Sequence, residues 1–60
     1  MKYTLEQAME LTGAENEKQF KEAFENKTPE EINEILIYMF GSEGDDIKFS
    51  EEIAILVKEI

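Results

Sequence analysis

Thr28-Pro29-Glu30-Glu31 constrains this chain more than any other stretch, because it fixes a helix start near the middle. Thr28 can cap with its hydroxyl. Pro29 has no amide hydrogen to lose at the first helical position, and the two acids face the positive end of the helix dipole. Ile32, Ile35, Leu36, Met39 and Phe40 then recur at the helical period, and Gly41 supplies a stop. The spacing predicts a helix from Pro29 to Phe40.

Similar punctuation cuts up the rest of the chain. Thr4 with Gln7 three positions later is a capping box. Leu5, Ala8, Met9 and Thr12 share one face, Leu11 lies on its flank and Gly13 ends the run, which predicts a helix from Leu5 to Thr12. Asn16 with Gln19 offers a weaker box for a second helix, Glu17 to Asn26, with Phe20, Ala23 and Phe24 as its stripe. After Gly41 comes an acidic polar loop, residues 41–46, and Ile47-Lys48-Phe49 reads as a minimal extended segment. Ser50 is expected to cap a fourth helix, Glu51 to Ile60, with Phe49 stapled against Ala54. Its stripe is Ile53, Leu56, Val57 and Ile60. The expected architecture is all-α, a compact bundle of four short helices in one domain spanning residues 1–60. One internal echo stands out: Lys2-Tyr3-Thr4 and Lys48-Phe49-Ser50 both place a hydroxyl after an aromatic at a helix start, and shared capping grammar accounts for it.

A chain of 60 residues buries only about 60% of its unfolded surface, so its core is marginal. It has no cysteine, which excludes disulfides and thiolate metal sites. It has no histidine, which removes the commonest general base and zinc ligand. Self-association is then the most plausible additional staple, with an oxygen-ligated cation behind it. No apolar run approaches the length of a membrane span, and Met1-Lys2-Tyr3-Thr4 leads into a helix without a signal-peptide stretch. A cytoplasmic protein away from membranes is expected. Lysine without arginine, with abundant isoleucine and glutamate, points to an A+T-rich genome; a bacterium or one of its phages or plasmids fits.

Fifteen acids against six lysines give a formal charge of −9. Such a chain repels nucleic acids and anionic membranes and attracts basic surfaces, including those that normally hold nucleic acid. Missing arginine also removes most bidentate phosphate and base recognition. Glu6, Glu10, Glu17, Glu22, Glu25, Glu30, Glu31 and Glu34 form the candidate acidic rows for a basic partner. The third helix is apolar almost all round: Ile37 and Tyr38 lie off its main stripe, and Ile55 points away from Ile53, Leu56 and Val57 in the fourth. Helices with surplus apolar surface bury it on a second side. Ile37, Tyr38 and Ile55 are therefore the candidate anchors for a partner or for a second copy.

Tyr3 through Ala14 resembles the first helix and turn of MerR-like and excisionase-like DNA-binding domains, through its hydroxyl cap, Leu5, Ala8, Leu11 and Gly13. The resemblance covers about the first fourteen residues and implies a recognition helix over Glu17 to Asn26. The chain departs there. Phe20 falls one position late, and that helix carries as many acids as lysines, whereas a DNA reader gains affinity by neutralising phosphates. The third helix, the acidic loop and Glu51-Glu52 resemble the second half of an EF-hand, with Ile47 at loop position 8 and Glu51 at position 12. That register puts Phe40 at position 1, where calcium needs an oxygen, and Asp45 at position 6, where the loop needs glycine. Neither a cation nor a cofactor is expected, and Glu43, Asp45, Asp46 and Glu51 read as a solvated acidic loop.

Adjacent carboxylates such as Glu30 and Glu34 lack the dry cleft that acid–base catalysis requires, and no phosphate-cradling loop or nucleophile pair is present. The expected function is not enzymatic. It is a small acidic inhibitor or antagonist of a basic, nucleic-acid-handling partner, in keeping with a phage or mobile element. A structural homo-oligomer or assembly subunit is the first alternative, and a helix-turn-helix regulator the second.

Overall fold

A computed structural model describes residues 3–60. Met1 and Lys2, which open the segment before the first helix and one arm of the internal echo, lie outside the described residues. The protein is an all-α bundle: α1 (Leu5–Thr12), α2 (Glu17–Phe24), α3 (Pro29–Phe40) and α4 (Ile47–Glu59), with a 3-10 turn over Gly41–Gly44 between the last two.

The first and third helices begin and end where their caps place them. Thr4 accepts from the Gln7 amide and Gln7 reaches back to the Thr4 amide, both at 3.0 Å. Thr28 and Glu31 repeat the arrangement at the head of α3. At the tail of α1, Gly13 sits at φ 81°, and the Ala14 amide bonds to Met9 O at 3.0 Å while that of Gly13 reaches Glu10 O. This left-handed stop satisfies carbonyls that the helix end leaves orphaned.

The core draws on every helix: Ala8 from α1, Phe20 and Phe24 from α2, Ile32 and Leu36 from α3, Ile53 and Val57 from α4. Phe20 and Phe24 meet edge to face with centroids 5.4 Å apart. Leu5, Met9, Ile35, Phe49, Leu56 and Ile60 pack around this centre, partly exposed. Thr12 is buried with its hydroxyl donating to Ala8 O at 2.8 Å, so the polar end of the α1 stripe is satisfied locally.

Four expectations need correction. The second helix ends at Phe24, because Glu25 turns extended and Asn26 takes a left-handed φ of 60°; Ala23, placed on its apolar stripe, is exposed. Gln19 reaches back to the Glu15 amide rather than to that of Asn16, so only half of that box forms. The extended segment at 47–49 is instead the first turn of α4. Asp46 caps it by accepting from the Phe49 amide at 3.2 Å. Ser50, expected to be that cap, is fully buried one turn inside, bonded to Asp46 O and to Asn33 Oδ1. Phe49 therefore cannot staple Ala54 from outside the helix; it packs edge to face on Tyr3, centroids 4.8 Å apart. Finally, Met39 and Phe40, the last members of the α3 stripe, are not core residues but lie exposed.

Asn33 explains why the chain can start α4 so early. Its carboxamide oxygen accepts from the Asp46 amide at 3.0 Å and from Ser50 Oγ at 3.3 Å, and its nitrogen donates to Asp45 Oδ1 at 3.1 Å. The 3-10 turn is thereby folded back along α3. Gly44 is buried there, and a β-carbon on it would fall on the Leu36 carbonyl. That close approach, rather than an unusual φ, is what demands glycine.

Candidate interaction surface

The α3 stripe is longer than the core that covers it, and this mismatch leaves an apolar concave surface at its end. Ile32 and Leu36 belong to the core shared with α2 and α4, but one turn further on Phe40 is only partly covered. Leu11 of α1 stands nearby and is 54% exposed; Phe40 is 43% exposed. With Leu36 and Phe49 they line a groove of about 440 Å³, edged by Glu43 and Asp46.

Two further depressions adjoin it at Tyr3, which lines all three. One, of about 270 Å³, runs along α1 past Gln7, Glu10 and Leu11. The other, of about 510 Å³, runs along α4 past Lys48, Glu51 and Glu52. The result is a groove with an apolar floor and a more polar extension along α4, bordered by Glu10, Glu43, Asp46, Glu51 and Glu52, with Lys48 the one lysine lining it among the described residues.

The opposite end of α4 has a different character. Lys21, Lys27 and Lys58 surround a depression floored by Phe24, Val57 and Ile60. The two ends of α4 lie about 18 Å apart at the helical rise per residue. The molecule is thus polarised: half of the chain's six lysines gather at one end, and the groove lies at the other.

The candidate residues from the sequence scatter across this framework. Glu10 borders the groove. Glu25 is partly buried among the three lysines at the far end, which makes it a poor member of a free acidic row. Glu6, Glu17, Glu22, Glu30, Glu31 and Glu34 are exposed on the outer faces of α1, α2 and α3. Tyr38 is 91% exposed, and Ile37 and Ile55 are exposed too. These three do not face one another: Ile37 and Tyr38 leave α3 on opposite flanks, and Ile55 leaves α4 opposite Ile53 and Val57.

Sequence reasoning did not single out Leu11, Phe40 or Phe49 as surface residues. The signal was present in the α3 stripe, which runs apolar to its last residue before Gly41. What no spacing reveals is that its neighbours end earlier.

Both motif resemblances stop at local shape. The first helix and Gly13 turn form as in a helix-turn-helix unit, but α2 has only eight residues and exposes Glu17 and Glu22 beside Lys18 and Lys21. The EF-hand register is overturned: Ile47 is helical rather than extended, and Asp45 and Asp46 spend carboxylate oxygens on Asn33 and the α4 cap. Among the described residues no group of three or more acidic side chains is placed to hold a metal ion, and no helix is long and apolar enough to cross a membrane. No family model, curated protein or solved structure matches this chain.

Proposed function

We propose that this protein is a non-catalytic acidic binding module, an inhibitor or antagonist that docks on a basic surface of a nucleic-acid-handling protein in the cytoplasm. The observation that carries the reading is the polarity of the molecule: an apolar groove bordered by carboxylates at one end of α4, with lysines gathered at the other. Net charge of −9 would draw the protein to a positive surface and orient the encounter. Desolvated apolar contacts would then supply most of the affinity. Exposed carboxylates one helical turn apart, such as Glu6 with Glu10 and Glu30 with Glu34, stand about 5–6 Å apart at their β-carbons and would extend the charged face. A phage or other mobile element is the setting that suits such an antagonist.

A pull-down from bacterial lysate, with and without nuclease and eluted by a salt gradient, tests the reading. A dominant nucleic-acid-handling protein that survives nuclease and leaves at moderate salt is the expected result. Replacing Glu30, Glu31 and Glu34 by glutamine should then slow association with that protein. DNA recovered only without nuclease would favour the helix-turn-helix regulator instead.

Exposure of Tyr38, Ile37 and Ile55 favours a second reading, a homo-oligomer joined through α3 and α4. Light scattering that gives a concentration-independent mass above one chain, together with a pull-down that recovers bait alone, would establish it over the first.

A further inference from the structure

We infer that the Leu11–Phe40–Phe49 groove is the seat for one short basic amphipathic segment of the partner, bound with a large apolar side chain in the groove and its lysines or arginines on the bordering carboxylates. The inference rests on the binding-module reading above and assigns its contact site, which lies away from most of the acidic rows.

Three observations converge on that occupant. The groove floor is apolar and contributed by three helices whose mutual placement the core already fixes, so it is preformed. A preformed apolar slot loses little ordering entropy on binding, which favours a side-chain anchor over a diffuse contact. Next, Glu10, Glu43, Asp46, Glu51 and Glu52 border the groove and its two extensions, against Lys48 among the described residues. A ligand that is apolar on one face and cationic on the others matches this pattern; an acidic or wholly apolar segment does not. Third, the depressions run on from one another through Tyr3, from Gln7 and Glu10 past Phe40 to Glu51 and Glu52. An elongated row of adjoining depressions suits a helix or strand laid along it, in the manner of an amphipathic helix in a groove.

A second copy of this chain is the rival occupant. Two copies bring together two charges of −9, and only the lysine end of α4 could offset that. Such a contact is heterologous, so it would produce rings or growing chains rather than a two-fold dimer.

The test uses the full chain and three synthetic peptides. The first places leucines at i, i+3, i+4 and i+7 with lysines on the remaining positions. The second has glutamates for the lysines, and the third has the same composition as the first with the leucine spacing scrambled. Fluorescence anisotropy is expected to show saturable binding of the first peptide alone. Phe40→Ala, Leu11→Ala and the double exchange Glu10→Lys with Glu43→Lys should each weaken it by about tenfold or more. Glu10 and Glu43 are exposed and their carboxylates hold no hydrogen bond to the other described residues, so the charge variant is expected to keep the fold and the test stays decisive even if an apolar variant loosens. Circular dichroism checks the fold of each variant.

Equal binding of the scrambled peptide overturns the inference, as does binding unaffected by all three groove variants. If binding is instead lost on replacing Glu30, Glu31 and Glu34 by glutamine, the binding-module reading stands and the groove assignment falls. Absence of saturable binding to any peptide overturns the groove assignment alone, because the lysate pull-down reports on the module separately. Growth of mass with concentration in the unliganded protein overturns it in favour of the second copy.

Discussion

The long first half of α3, Pro29–Leu36, and its short second half, Ile37–Phe40, are built from one apolar stripe and meet opposite fates. Its first half carries a capping box, and Ile32 is fully buried against the other helices. Its second half ends at Gly41 with Met39 and Phe40 open to solvent. Chemistry does not separate the two halves, since both are rich in large apolar side chains. Coverage does: Ile32 and Leu36 join the core cluster with residues of α2 and α4, whereas Met39 and Phe40 lie at its edge, beside Ala23 and Phe24 on one side and Glu43 and Gly44 on the other. The difference teaches that a stripe outrunning its core leaves a surface able to bind, on a scaffold held rigid by the same helix.

Breaking the covered half should cost most. Ile32→Ala is expected to destabilise by about 3–4 kcal/mol through lost burial and the cavity left behind. In a domain this small that is most of the available stability, so urea unfolding followed by circular dichroism should find the variant largely unfolded at low denaturant. A fully folded variant with an unchanged midpoint would mean that the first half is not the core.

Gly44→Ala comes next, at about 2–3 kcal/mol, because the added methyl falls on the Leu36 carbonyl and the turn must lift away. Lifting it would also widen the groove, so this variant sharpens the comparison by loosening the second half while the first half keeps its packing. Thermal unfolding with a clear loss of midpoint is the expected readout.

Asn33→Ala removes the acceptor shared by the Asp46 amide and the Ser50 hydroxyl and should cost about 1–2 kcal/mol. Water can reach the exposed Asp46 amide, and Ser50 keeps its bond to Asp46 O, which bounds the effect. A cost equal to that of Ile32→Ala would show that the junction, rather than the core, holds α4 in place.

Phe40→Ala, in the open half, is expected to cost only about 1–1.5 kcal/mol, since Phe40 is 43% exposed and a good part of it is already in water. Tyr38→Ser should stay within about 0.5 kcal/mol. Chemical denaturation of this pair against Ile32→Ala measures the comparison itself. A Phe40 variant as damaged as the Ile32 variant would erase it.

Much of the fold was readable before any coordinates, and the reason is local. Thr4 with Gln7, Thr28 with Glu31, and Gly13 act within one turn of their own helix ends, so spacing alone places α1 and α3. The start of α4 was misplaced because Ser50 followed by two glutamates imitates a cap. What overrides that signal is Asn33, seventeen positions earlier, which takes the Ser50 hydroxyl into the interior. The stripe did carry a correcting hint, since Phe49 lies four residues before Ile53 and continues the buried face backwards. Glu25 and the lysines around it were unreadable for a similar reason: their neighbourhood is made by the approach of α2 to the tail of α4. The groove is likewise a product of which helices end first, a property of lengths and crossings rather than of any one segment.

The most direct measurement is a map of backbone amide chemical shifts on titrating the isotope-labelled protein with the basic amphipathic peptide. If the groove is the seat, the amides of Leu11, Phe40, Glu43 and Phe49 move together and saturably, while Ile32, Tyr38 and the amides of α2 stay in place. Shifts centred on Ile37, Tyr38 and Ile55, with the groove unmoved, would contradict that assignment.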